Sequence, residues 1–343
     1  MRIKFSSKLK LGLLITIITI ASLGGFLGIF LYQLFSTPSI RIGALSGDLH
    51  HLPLFVALEN DYFKDEGIDI SSNDIYWFSN GNKVMTAFES GRLDVAYLGL
   101  APAMAHKLNF NASIQIVSGV NVDGSAIMVK NNSGINTISD LDGTVIGVPS
   151  INNMQDFILQ IALTNSGLNL SNVNRTILSV GNMENALIHG DINAYVAWEP
   201  FNAKALNSGV KYLNKSSEIW PNHPCCIMAA SLKFLESNSE DVRKIVKIHK
   251  RALQWIINVS NHDTLIEIIK KYTGITEDTY MNSTNIIENA LDNVGYIYNF
   301  SLYQSEIQTF YNKLTSLNKN IVDWPTGYGD FYQNFFNTTF LNT

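Results

Sequence analysis

The sequence predicts an α/β chain folded as two lobes behind an N-terminal membrane-spanning helix. Three observations carry this: an uncharged apolar run near the start, short β-like segments alternating with helix-like ones from residue 40 to about 200, and a helix, glycine, aspartate, strand phrase that occurs twice. The chain has 343 residues, 46% apolar and 15% charged, which excludes disorder and collagen-like repeats. That length favours about two cores of roughly 100 to 200 residues each.

The first element is the run from Leu11 to Phe35, long enough to cross a bilayer, which takes ~20 residues. Arg2, Lys4, Lys8 and Lys10 precede it and no basic residue follows before Arg41, so the N-terminus is expected in the cytoplasm and the body outside. A cleaved signal peptide ending near Thr19 and Ala21 is the rival reading. A lipid anchor is not expected, because both cysteines, Cys225 and Cys226, lie far from this segment.

From Ile40 the elements read in order. IRIGAL (40–45) is a strand, PLFVALENDYF (53–63) a helix stopped by Gly67, and IDISSNDIYW (68–77) a strand. KVMTAFES is a helix closed by Gly91, DVAYLGL a strand, PAMAHKL a helix and SIQIVSGV a strand. A second series follows: strand SAIMVK (125–130), helical turn ISDLDG, strand TVIGVP, a helix from about Asn153 to Ser166, strand NRTILSV, helix MENALIHG and strand INAYVAW. Strands alternating with helices predict mostly parallel sheets covered on both faces. AFESGRLDVAYLG and ALIHGDINAYVAW occupy the same place in the two series, so each lobe has its own copy. After strand CIMAAS the pattern turns helical over 239–272, 283–297 and 301–318. The expected domains are therefore a stub and anchor, 1–37, one lobe from 38–126 with 226–343, and a second lobe from 127–225. Two crossings between them make a hinge with a cleft.

Composition narrows the function. Without the four N-terminal basic residues, 20 basic face 29 acidic residues, a net −9, which argues against nucleic acid as a partner. Nine Asn-x-Ser/Thr sequons, at Asn111, Asn131, Asn169, Asn174, Asn214, Asn258, Asn282, Asn299 and Asn337, agree weakly with export. Two adjacent cysteines close no useful loop, and in a strand they point to opposite faces, one to the core and one toward the hinge, with no reactive role. Neither a GxSxG elbow, a P-loop nor a strand-borne GxGxxG is present.

Ligands of open α/β sheets bind at the carboxyl ends of strands. The loops there carry Asp48, His50 and His51; Leu98, Gly99 and Pro102; Ser150, Asn152 and Asn153; and Trp198 with Glu199. Three of these loops lead into helix starts, where free N–H groups favour a small anion. Asp48 with two histidines invites a metal, but adjacent histidines rarely share one, so no metal is expected. One histidine is expected to face the cleft and the other to cap or pack, and His223 to pack near the hinge. Glu199 reads as an acceptor for an amine or hydroxyl, beside an apolar Trp198 wall.

The blocks IRIGALSGDLHHLPLFVALENDYFKDEGIDI, GRLDVAYLGLAPA, SDLDGTVIGVP, GDINAYVAWEP and EIWPNHPCCIM resemble, in order and spacing, the nitrate/sulfonate/taurine-type substrate-binding proteins of ABC importers. The resemblance covers nearly all of 40–340. It implies a type II periplasmic-binding-protein fold that closes on a small solute without chemistry, needing no cofactor, working as a monomer and delivering to an ABC permease and its ATPase. It implies that the four loops face the ligand and that Asn121, Gly124 and Ser125 lie at the first hinge crossing. The fold also resembles the thiamine-pyrimidine synthases, whose cysteine-rich run is represented here only by Cys225-Cys226. A sensor ectodomain is a third reading and would need a separate output partner.

Overall fold

The structure is a computed structural model describing residues 40–318 and 320–341. The predicted stub and membrane segment, 11–35, lie outside the described residues, among which no helix is long and apolar enough to cross a membrane.

Among the described residues eleven strands form two sheets. They are β1 (Ile42–Leu45), β2 (Ile75–Phe78), β3 (Val95–Gly99), β4 (Ile114–Asp123), β5 (Ser125–Lys130), β6 (Val145–Val148), β7 (Asn174–Ile177), β8 (Ala194–Trp198), β9 (Val210–Lys215), β10 (Pro224–Ser231) and β11 (Val294–Tyr296). The first sheet has the order β11-β4-β10-β3-β1-β2 and the second β7-β6-β8-β5-β9. In each, three strands run parallel, β2-β1-β3 and β7-β6-β8. The next strand, β10 or β5, is antiparallel to them. The sheets are thus mixed rather than mostly parallel, because β5 and β10 each enter directly from the other sheet and run against the parallel trio.

Local chemistry sets the connections. Asn80 Oδ1 accepts from Lys83 N at 3.1 Å to open the helix Gly81–Glu89. That helix ends in left-handed Gly91, with Arg92 N donating to Ala87 O at 2.9 Å. The second copy of the phrase does the same at Gly190, with Asp191 N donating to Ala186 O at 3.0 Å. The strand read at 68–77 shrinks to Ile75–Phe78, because Ser71 and Asp74 cap a short 3₁₀ turn ahead of it, the hydroxyl reaching the carboxylate at 2.7 Å. Two strands escaped the sequence reading, Val210–Lys215 and Val294–Tyr296. Neither alternates strongly, and both sit at sheet edges.

Each sheet has its own apolar core. Ile42, Ala44, Leu54, Phe55, Val95, Ile116 and Met228 are buried around the first. Ile127, Val129, Ile146, Val148, Leu159, Leu163 and Val196 cluster around the second. The chain changes sheet at Gly124 and returns between Lys215 and Pro224.

Candidate functional site

The carboxyl ends of β1, β3 and β8 converge on the seam between the sheets. A cavity there is lined by Leu45, Asp48, His50, Gly81, Gly99 and Pro102 on the first side, Asn153, Met154, Gln155 and Trp198 on the second, and Cys225 and Cys226 from the start of β10. Its free space is about 10 Å³, room for about one water. Met154 takes much of the rest: a side chain on Gly99 would come within 2.9 Å of Met154 Cγ, so glycine is what lets the two sides meet here.

Of the residues singled out in sequence, Asp48, His50, Gly99, Pro102, Asn153 and Trp198 line this cavity. The other seven do not line it. Leu98 is buried in β3, and Asn121 is spent on backbone, its Oδ1 accepting from Cys226 N at 3.0 Å. Ser125 Oγ accepts from Gln155 Nε2 at 2.9 Å, and Asn152 pairs with Asn318. Ser150 Oγ is buried without a hydrogen-bond partner. Sequence reasoning missed Met154 and Gln155, the two residues after the Asn153 helix cap, as well as Leu45, Gly81 and the shared role of the cysteines.

The two histidines diverge. Asp48 Oδ1 accepts from His50 N at 2.9 Å, which fixes the 3₁₀ turn Leu49–His51 and aims the His50 ring across the seam, where Nε2 lies 2.9 Å from the Gly124 carbonyl. His51 Nδ1 instead accepts from Leu45 N at 3.1 Å, and its ring packs on Tyr97. Burial drives His51 down to about 3, keeping it neutral. For His50 burial also favours the neutral ring, but Asp48 and Cys225 outweigh it and hold it at about 10, while burial lifts Asp48 to about 6. His223 stacks on Trp220 and lies 2.9 Å from Asp123 at the first crossing.

Strand alternation would separate Cys225 from Cys226, and the structure corrects that expectation. Pro224 pairs with Val122 and Cys226 with Asn121, so Cys225 is an extra residue in a bulge. Both sulfurs consequently approach one ring nitrogen: His50 Nδ1 is 3.7 Å from Cys225 Sγ and 3.6 Å from Cys226 Sγ. The hydrogen bond with Cys226 and the charge of His50 draw the Cys225 thiol well below its usual range, and burial pushes Cys226 well above.

Glu199 is turned away from the cavity into the seam. Its carboxylate accepts from Ala203 N at 3.0 Å, Asn293 Nδ2 at 2.9 Å and Tyr212 OH at 3.1 Å. Its carbonyl accepts from Leu49 N at 3.0 Å. Burial pushes its carboxyl up to about 7 against those donors. With Asn82 Nδ2 donating to the Ile151 carbonyl at 2.9 Å, it ties one sheet's loops to the other's.

A model of the NMT1-like family matches residues 36–270. The chain belongs to that family. It is 23% identical over 200 residues to a "putative aliphatic sulfonates-binding protein" of Escherichia coli, covering 58% of this chain and 61% of that protein. It is 24% identical over 227 residues to the 4-amino-5-hydroxymethyl-2-methylpyrimidine phosphate synthase THI13 of Saccharomyces cerevisiae, covering 61% and 64%. The matched stretch thus spans less than two thirds of either relative. Among solved structures, the alkanesulfonate-binding protein of Xanthomonas axonopodis pv. citri bound to MOPS superposes with a TM-score of 0.69 at 16% identity, covering 85% of this chain and 99% of that one. The fold of this NMT1-like chain is that of the periplasmic binding proteins.

Proposed function

We propose that this chain is the extracytoplasmic solute-binding component of an ABC importer, tethered through residues 11–35, and that it captures a small anionic or zwitterionic nitrogen or sulfur compound without transforming it. The observation that carries this reading is the cavity itself, built from strand ends of both sheets and walled by groups from each. Its second side offers an anion a hydrogen bond, since the indole Nε1 of Trp198 is a buried donor with no partner. The names of two relatives point to such compounds: aliphatic sulfonates for the Escherichia coli protein and alkanesulfonates for the Xanthomonas one.

Entry requires motion, since room for about one water admits no sulfonate. The lobes, one around each sheet, part at Gly124 and at 215–224, breaking the Asn82 to Ile151 and Leu49 to Glu199 bonds, and close again on the solute. The closed form is what a permease and its ATPase then recognise.

Titration calorimetry of the purified protein with taurine, longer alkanesulfonates and nitrate tests this. Saturable binding of at least one, with the compound recovered unchanged, is expected, together with a raised melting temperature. Absence of binding by all of them, or steady conversion of a bound compound, removes the reading.

A further inference from the structure

The first side of the seam carries a constellation that solute capture does not require. Asp48, His50, Cys225 and Cys226 are each no more than 3% exposed and share one wall. Because a carbonyl only accepts, the Gly124 oxygen keeps a proton on His50 Nε2 and turns Nδ1 toward the sulfurs. Gly124 is the residue that permits this approach: its φ is +86°, and a Cβ there would lie 2.2 Å from His50 Nε2.

The distances match a coordination sphere. Metal–sulfur bonds of about 2.3 Å and metal–nitrogen bonds of about 2.0–2.1 Å at tetrahedral angles place sulfur and nitrogen about 3.5 Å apart. The same arithmetic with a carboxylate oxygen at about 2.1 Å gives about 3.4 Å between oxygen and nitrogen. The observed separations from His50 Nδ1 are 3.7 and 3.6 Å to the sulfurs and 3.4 Å to Asp48 Oδ1. The donor atoms of His50, Cys225 and Cys226 all lie within 4.8 Å of one another, as do those of Asp48, His51 and Cys226. A second observation points the same way. With Nδ1 of His51 accepting from Leu45 N, the proton sits on Nε2, which is buried and has no hydrogen-bond partner, and His51 belongs to that second group with Cys226 and Asp48. It is a donor placed to meet a thiolate or carboxylate in the outer shell of an ion.

We propose that His50 Nδ1, Cys225 Sγ and Cys226 Sγ, with Asp48 as a fourth ligand, hold a thiophilic d¹⁰ cation, zinc(II) or copper(I), on the first-side wall of the cavity. On binding, the cation displaces the proton at Nδ1 and any proton still carried by either sulfur, and these pass to solvent. Zinc draws its fourth ligand from Asp48, whose Oδ1 lies 3.4 Å from His50 Nδ1, whereas copper(I) is satisfied by the two sulfurs and the imidazole. This goes beyond the solute-binding reading and does not depend on it, because the unpartnered indole Nε1 of Trp198 on the opposite side remains to meet a solute.

The test uses purified full-length protein, reduced and stripped with a chelator. It is titrated with zinc(II) and, separately, copper(I) against a chromophoric competitor, and with cobalt(II) as a spectroscopic probe. One ion per chain is expected, with a thiolate-to-cobalt charge-transfer band. Binding should weaken roughly 100-fold or more in the Cys225→Ser, Cys226→Ser double variant and in His50→Asn. Asp48→Asn should weaken zinc roughly 10- to 100-fold and leave copper(I) nearly unchanged. Failure of the reduced protein to bind either ion stoichiometrically, or binding that survives the double variant, overturns the proposal. Should the variants misfold by circular dichroism, the cobalt spectrum of the unsubstituted protein decides, its charge-transfer band sustaining the assignment and its absence ending it. Taurine titration of the metal-free protein reads the solute proposal separately.

Discussion

The two halves share a scaffold and differ in chemistry. Strand order is the same in both, β2-β1-β3-β10-β4 against β7-β6-β8-β5-β9. Even the residue before the third strand has one job in each: Asp94 accepts from Arg41 N and Asn193 from Val145 N, both at 2.9 Å. Yet the first half adds a charged pair there, Arg41 Nη2 lying 2.6 Å from Asp94 Oδ1, where the second has only a neutral amide. The cavity repeats this asymmetry. Its titratable lining groups, Asp48, His50, Cys225 and Cys226, all belong to the first half, while Asn153, Met154, Gln155 and Trp198 of the second are neutral. A duplicated topology thus supports a division of labour, in which one half supplies charge and the other supplies fit.

The largest effect should separate two glycines of like backbone. Gly124→Ala forces a Cβ against His50 as well as into left-handed backbone, and should cost about 3 kcal/mol or more in urea unfolding. Gly190→Ala, at φ +88° with no atom within 4 Å of its Cβ, should cost about 1 kcal/mol of backbone strain alone. Equal costs would mean that the His50 contact is not the tight one described.

Next in size is the pH response of the latch at Glu199. Its carboxyl is at about 7 in the folded chain against 4.5 ordinarily, because burial disfavours the charged form. The unfolded chain releases that proton first as pH rises, so the contribution is full below about pH 4.5 and is lost as pH climbs to about 7. It amounts to about 3 kcal/mol across that window. The stability of the wild type minus that of Glu199→Gln, measured from pH 4.5 to 7.5, should fall with rising pH. A flat difference would show that the carboxylate is ionised throughout.

What was legible in sequence follows from the range of the interactions concerned. Helix periods, stop glycines such as Gly91 and Gly190 and the repeated phrase are local, so both βα series and the loops that reach the cavity could be read directly. The side of the seam taken by each histidine could not. Asp48 captures His50 N while Leu45 N captures His51, and consecutive residues in a 3₁₀ turn carry no period that separates them. The pairing of the cysteines on one imidazole depends on a bulge set by β4, about 100 residues earlier. Glu199 reads in sequence as a ligand contact because its seam partners Tyr212 and Asn293 are 13 and 94 residues away. Met154 and Gln155 carry the one local signal left unused, as the first turn of a capped helix aimed at the cavity.

On the side that supplies fit, Met154→Ala should cost about 2 kcal/mol, at the low end for a buried methionine because the side chain borders existing space. It should also improve binding of longer alkanesulfonates relative to taurine, read as a ratio of Kd values. An unchanged ratio would place the solute elsewhere than against Met154.

The smallest effect is the most discriminating. Trp198→Phe removes a buried indole N–H that has no hydrogen-bond partner within the protein while keeping most of the ring that packs on Phe201. An unpartnered donor is a cost to folding, so the variant should be as stable as the wild type or more stable by about 1 kcal/mol. If that donor exists to meet the solute, affinity should fall by about tenfold, or ~1.4 kcal/mol, in the same protein. Stability and binding then move in opposite directions, which a general packing defect cannot produce. A variant that loses both together would return Trp198 to the core and leave the neutral half of the cavity without its hydrogen-bond donor.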